Sequence, residues 1–337
     1  MTWFERITGF VERPYDETRQ ALQVRDRRLV STTGETWGMG SFSMPSLAEL
    51  RASSPPLPGT LSMSTLSGDA RALHRDPRFN GALFQVASQF NMLEMVGPSV
   101  TPEQGVTRYS GDPTQGPACA MAAGAATIYR NYLVPVGDQT GQTRDRQLDG
   151  LADLGDALSE LTGLPVDRLW QMRNGYALGD VAGLTAVNEA LAGLDADATD
   201  RLRSRLRIGV HHNVEVTDVA DEPRPVVSQA FCSAVPVSYS GVSADVWAPL
   251  AQLVLEAAYE ATLLAGVANA SKGGSNIVLL TFVGGGAFGN RMEWITAAIR
   301  RAAQLHAESD LDVRLVSFGS PSREVSQLAE EFKAPGR

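Results

Sequence analysis

Short apolar runs alternate along the chain with longer amphipathic stretches, and the two periods separate strands from helices. LSMSTLSGDARALH (61–74) reads as a strand, a Gly-Asp turn and a turn of helix. GALFQVASQFN (81–91) reads as a compact apolar strand that becomes polar only at its far end. IGVHHNVEVTDV (208–219), VVSQAFCSAVPVSYS (226–240), IVLLTFV (277–283) and DVRLVSFGS (312–320) add four more strand signals. Helical spacing runs through YDETRQALQ (15–23), ACAMAAGAATIYRNYL (118–133), the long SADVWAPLAQLVLEAAYEATLLAGVA (243–268) and RMEWITAAIRRAAQLH (291–306). Ser243 is suited to cap the long helix. The C-terminal third is therefore helix, strand, glycine turn, helix, strand, which predicts α/β layering with ligands at the carboxyl ends of the strands.

Boundaries follow from breaks in this pattern. SSPPLPGT (53–60) is a Pro-rich loop, so residues 1–60 are expected to form an N-terminal extension packing on the core of a domain spanning 61–330. Between 137 and about 207 the composition turns charged and helical, as in DRQLDGLADLGDALSELTG and DADATDRLRSRLR, which predicts a peripheral helical insertion. The segment 93–117, rich in Gly, Pro, Thr and Asp, is a long loop of the kind that usually carries function. Residues 331–337 read as a disordered tail.

Composition removes several classes of function. The 337 residues are 43% hydrophobic and 20% charged, which suits a globular chain with ample core. A net charge of −9 argues against a protein that grips nucleic-acid backbone. MTWFERITGF lacks the basic flank and apolar centre of a signal peptide, and no run approaches the roughly 18 uncharged apolar residues of a membrane span. Cys119 and Cys232 are far apart and there are four histidines, so no protein-built metal site and no cofactor are expected, and the compartment reads as cytoplasmic. His211 and His212 face opposite ways in a strand, one to the core and one to the surface.

The chemistry concentrates at IVLLTFVGGGAFGN (277–290), a strand that breaks into glycines before a helix. Gly284, Gly286 and Gly289 spell G-x-G-x-x-G, but the next strand ends in Phe-Gly-Ser without the acidic residue that a dinucleotide fold uses on ribose. A redox enzyme of that type is left as a distant alternative. No Gly-Lys-Ser/Thr follows, so a P-loop is excluded. What remains is a backbone free of Cβ obstruction beside a helix N-terminus, a natural anion site, with Phe288 as a flat apolar neighbour.

Taken in order, SGDA, ASQFN, DPTQGPACAMAAGAA and VGGGAFGN resemble the macrodomain family, which binds ADP-ribose. The resemblance covers mainly 61–132 and 231–320. It implies a three-layer α/β sandwich with a mixed, largely parallel central sheet, here with an extra helical insertion. It implies that Asp69, with Ala70, receives the adenine, and that Asn91, with Gln89 nearby, meets the distal ribose. It further implies that Thr114, Gly116 and Pro117 form the first diphosphate loop and that Gly284, Gly285, Gly286, Ala287, Phe288, Gly289 and Asn290 form the second. The family's Gly-Gly-Gly first loop is Thr-Gln-Gly-Pro here, and its Asn-Ala-Ala-Asn is reduced to SQFN. The adjacent glutamates of the poly(ADP-ribose) glycohydrolase branch are missing from ACAMAAGAATIYR. Asp112, Glu94 and Gln115 are the substitutes: the carboxylates as acid or base, the amide as a group that orients water. Two functions follow as expectations, an ADP-ribosyl hydrolase acting on a glycosidic or ester link, and a non-catalytic reader of ADP-ribose. The partner in either case is ADP-ribose or an ADP-ribosylated substrate.

Overall fold

The computed structural model describes residues 1–334. The apolar runs assemble one sheet from β1 (Ser41–Ser43), β2 (Ser62–Ser67), β3 (Leu83–Ala87), β4 (Gly209–Glu215), β5 (Val226–Cys232), β6 (Ile277–Leu280) and β7 (Asp312–Ser317). Their order across the sheet is β1-β4-β5-β3-β6-β7-β2. From β5 to β2 every neighbouring pair is parallel, while β4 runs antiparallel to both of its neighbours. The sheet is thus mixed and largely parallel, as expected.

Alternation along the strands assigns the two faces. Leu83, Ala230, Val278 and Leu280 point to the main core, which contains α4 (Ala244–Ser271) and α5 (Met292–Leu305). Phe84, Val227 and Leu279 point to the opposite face, against α1 (Ala70–Arg75) and residues of α3 (Gly124–Tyr132). The Ala-rich run before Leu133 is two helices rather than one: α2 (Gln115–Ala122) and α3 meet at Ala123, whose φ of −112° and ψ of 56° break the helix. By length and composition α4 is apolar enough to cross a membrane, which corrects the sequence expectation. Its most apolar 18-residue window is 89% buried, so that apolarity is used inside the fold.

The N-terminal stretch packs Trp3, Phe4, Ile7 and Leu29 against Ala125, Ile128 and Tyr132 of α3. It also contributes β1, the edge strand, so the sheet reaches back into the first 60 residues. The segment expected as a peripheral helical insertion differs in two ways. Besides four helices it contains a hairpin, Trp170–Arg173 with Tyr176–Gly179. Its Leu154, Leu158, Trp170, Leu184 and Val187 belong to the same buried cluster as Trp247, Leu250 and Val254 of α4. The charged composition of this segment describes its outer face; the inner face closes the main core. At the other end, α6 (Arg323–Glu331) takes in the first residue of the expected tail, and Phe332 O accepts a hydrogen bond from Met63 N–H at 3.0 Å. Residues 335–337 lie outside the described residues.

Candidate functional site

The pairing of β6 with β3 stops at Leu279↔Phe84, while β3 continues to Ala87. Side chains take over the ladder beyond that point. Gln115 Oε1 accepts from Ala87 N–H at 2.9 Å, and its Nε2 donates to Gln85 O at 2.9 Å. Gln85 Oε1 accepts in turn from Thr281 N–H at 3.2 Å. The sheet therefore opens at the carboxyl ends of two central parallel strands, where ligands bind in such folds. A cavity of about 470 Å³ lies there, inside the range of roughly 300–1,000 Å³ typical of small-molecule sites.

Two turns form much of its wall. Gly111 to Pro117 leads into α2, and Thr281 to Phe288 follows β6. Among the described residues, the backbone N–H groups of Gln115, Gly116, Gly284, Gly286, Ala287 and Phe288 have no hydrogen-bond partner. Among the described residues no Lys, Arg or His lines the cavity, so an anion there would rest on these amides and on the α2 N-terminus. Asn290 shapes the second turn: its Nδ2 donates to Val235 O at 2.9 Å, and its N–H to Gly284 O at 2.9 Å.

Of the residues singled out in the sequence, Gln89, Glu94, Asp112, Thr114, Gln115, Gly116, Pro117, Gly284, Gly286, Ala287 and Phe288 line this cavity. Asn91, Gly285, Gly289 and Asn290 do not. Asn91 is fully buried and turned away, with its Nδ2 on Gln147 Oε1 at 2.8 Å and its Oδ1 accepting from Leu93 N–H at 3.1 Å. It anchors the insertion rather than facing a ribose. Asp69 and Ala70 sit at the end of β2, outside the main cavity. A narrow crevice lined by Ala70, Gln115, Thr281 and Val316 lies between. The Asp69 carboxylate caps α1 by accepting from Ala72 N–H at 2.8 Å.

The three proposed catalytic groups separate sharply. Gln115 has both ends of its amide held by β3, and its Nε2 also reaches Cys119 Sγ at 3.1 Å, so it is a strut of the sheet with both donors spent inside the protein. Glu94 borders the cavity, but its side chain is 0% exposed and pairs with the equally buried Arg130 at 3.2 Å. Burial pushes its carboxyl up to about 7 against the opposing pull of Arg130. Its Oε2 is buried without a partner. Asp112 is the carboxylate that reaches solvent in the cavity, where its Oδ1 accepts from Thr114 N–H at 2.9 Å and from Thr114 Oγ1–H at 2.6 Å. Cys119 is buried and its thiol is pushed well above its ordinary value, mainly by that burial, which fits a packing residue and not a nucleophile.

Four residues escaped the sequence reading. Tyr176, from the inserted hairpin, and Tyr239, from the turn after β5, line the cavity with Phe288. Arg130 holds Glu94 from below. Phe318, 86% exposed, follows β7 immediately beside the Gly68–Asp69 turn, whose Gly68 N–H donates to Ser317 O at 2.9 Å. Only Phe318 carried a signal, as an aromatic residue at the polar end of a strand.

No protein-family model matches the chain, and no curated protein sequence matches it. Among solved structures the chain is similar to poly(ADP-ribose) glycohydrolase from Thermomonospora curvata, at 13% identity over 90% of this chain and 92% of that one, with a TM-score of 0.44. It is also similar to the same enzyme bound to the inhibitor ADP-HPD, at 14% identity over 90% and 92%, with a TM-score of 0.43. A third similarity is to poly(ADP-ribose) glycohydrolase from Deinococcus radiodurans in complex with ADP-ribose, at 12% identity over 86% and 91%, with a TM-score of 0.43.

Proposed function

We propose that the protein binds ADP-ribose across the carboxyl ends of β2, β7, β6 and β3 and hydrolyses the link between its distal ribose and a protein, nucleic acid or small-molecule group. The observation that carries this reading is the pair of small-residue turns, 114–117 and 284–288, lining one cavity with unpartnered amides. Such a pair suits a diphosphate. On one side of it, Asp69 and the open ring of Phe318 would take the adenine, the carboxylate accepting from the exocyclic amine and the ring offering a face for stacking. On the other side, Gln89 and Phe288 would meet the distal ribose.

Asp112 is the base in this reading. It takes a proton from water as the water oxygen bonds to the anomeric carbon. The bond from that carbon to the departing group breaks, the electron pair leaves with that group, and the group takes any proton it needs from solvent. A second reading, a non-catalytic reader of ADP-ribose, is favoured by one observation: Gln115 and Glu94 are both engaged inside the protein, leaving a single accessible carboxylate.

Titration calorimetry with ADP-ribose, compared with AMP and NAD, tests the ligand. Turnover of ADP-ribosylated protein, nucleic-acid and small-molecule substrates by the wild type and by Asp112→Asn separates the two readings. Hydrolysis lost in the variant, with ADP-ribose affinity within about twofold of wild type, supports the enzyme. Binding with no turnover in the wild type selects the reader. No binding of ADP-ribose removes both.

A further inference from the structure

The insertion sends its hairpin to the wall of the cavity and is fastened there. The hairpin turn, Asn174-Gly175, has positive φ at both residues, 48° and 77°, the combination that a two-residue turn between twisted strands requires. A Cβ on Gly175 would lie 2.6 Å from Asn91 Oδ1. Phe90 N–H donates to Gly175 O at 3.0 Å. Asn91 Nδ2 donates to Gln147 Oε1 at 2.8 Å, Gln147 Nε2 to Asn174 Oδ1 at 2.8 Å, and Asn174 Nδ2 to Pro98 O at 2.7 Å. The turn is thus tied to the segment following β3 by a chain of amide side chains.

Tyr176 comes directly after this turn. It is 1% exposed, and its hydroxyl donates to Met95 O at 2.8 Å. Its ring centroid lies 5.2 Å from that of Tyr239 and 5.2 Å from that of Phe288, while those two lie 5.6 Å apart. Tyr239 and Phe288 are only half-buried. They form the exposed face of the wall, and Tyr176, which borders the cavity only at its buried edge, packs against both. Ser238 N–H also donates to Phe288 O at 3.0 Å, so ring and backbone of the glycine turn are held from the same side.

We propose that Tyr176 is a positioning residue for the nucleotide site. The inserted hairpin sets the place of Phe288, and through it the turn 284–289, so ligand selection at the distal ribose depends on a segment separate from the turns that hold the diphosphate. The ligand part of this inference rests on the ADP-ribose reading; the buttress does not. The test uses the full chain carrying Tyr176→Leu, Tyr176→Phe, Phe288→Ala and the Leu/Ala double variant. Calorimetry compares ADP-ribose with AMP, which lacks the distal ribose. Tyr176→Leu is expected to weaken ADP-ribose on the order of tenfold, equivalent to about 1.4 kcal/mol, and to weaken AMP, which has one phosphate and no distal ribose, by less. Tyr176→Phe keeps the ring and is expected to restore binding. The double variant is expected to lose no more than Phe288→Ala alone, because Tyr176 acts through Phe288. Losses that multiply in the double variant, or a leucine variant that binds like wild type, overturn the proposal. Hydrogen exchange on the ligand-free proteins decides the buttress independently. Amides of 284–289 should exchange faster in Tyr176→Leu and not in Tyr176→Phe, and equal exchange in all three sinks it even if ADP-ribose proves to be the wrong ligand.

Discussion

A carboxyl sealed from water must settle between keeping its proton and pairing as an anion, and at Glu94 the balance falls near neutrality. Burial raises its pKa to about 7, the Arg130 charge pulls the other way, and burial prevails. An unfolded carboxyl loses its proton near the ordinary 4.5, whereas the folded one holds it to about 7. Between those values the folded state binds more protons, so this contribution to stability is complete below about pH 4.5 and is lost as the pH rises to about 7. Glu94→Gln keeps the shape and removes the titration. Urea unfolding from about pH 5 to about pH 8 should give a flatter stability profile for the variant than for wild type; parallel profiles would show that the ion pair, not burial, governs the group. Gln115 gives a second test at this scale. Leucine there leaves Ala87 N–H and Gln85 O unpaired in the opened sheet, which should lower stability by about 1–3 kcal/mol. Unchanged unfolding would mean that water replaces the strut at no cost.

The three successive glycines after β6 have different physical duties. Gly284 has φ of 78°, and a Cβ on it would run into the Cβ of Ala234. Gly286 has ordinary φ and nothing within 4 Å of the place a Cβ would take, although it lines the cavity. The first glycine is required by the fold and the third is free of that demand. Gly286→Val is therefore expected to weaken ADP-ribose by about tenfold or more with little change in melting temperature, since a branched side chain would occupy space that the diphosphate needs. Gly284→Val should lower the melting temperature whether or not ligand is present. Calorimetry and thermal melts on the pair check both, and a Gly286→Val protein that binds normally would place the anion elsewhere. The sequence made the turn itself legible, because a strand-forming run, glycines and a helix follow one another within about thirty residues. It could not distinguish the glycines, since their duties are set by Ala234, fifty residues upstream, and by an open cavity. Asn91 and Gln115 were misassigned for a similar reason: a polar residue just after a strand, or at the start of a helix, suits a ligand or a neighbouring backbone equally well, and only the gap between β3 and β6 shows that Gln115 closes the ladder.

At the scale of the molecule, the layering was legible because each strand and helix carries its own period, while the place of the insertion was not. Charged residues recur throughout 137–207, and the apolar positions that enter the core are spread over short helices and a hairpin, so that no single run marks the segment as buried. The charges themselves contribute to the docking. Asp200 of the insertion receives Arg51 Nη1 at 2.6 Å and Arg301 Nη2 at 3.2 Å, and the same two arginines clasp Glu260 of α4 at 2.6 and 2.7 Å. Glu260 is 4% exposed, against 31% for Arg51 and 25% for Arg301. Removing it leaves two guanidinium groups facing each other with Asp200 alone. Glu260→Ala should therefore cost about 2–3 kcal/mol, less than the roughly 3–5 kcal/mol of a fully buried pair because the arginines keep some water. Asp200→Ala, at a site 37% exposed, should cost about 1 kcal/mol or less. Because Leu154, Leu158, Trp170 and Leu184 share one core with α4, the loss in Glu260→Ala should move a single unfolding transition without splitting it. Denaturant curves followed by far-ultraviolet circular dichroism and by tryptophan fluorescence should then coincide. If instead the variant unfolds in two steps, with proteolysis of the first intermediate cutting inside 137–207, the insertion is a separate unit on the surface and the shared core does not bind it into the cooperative fold.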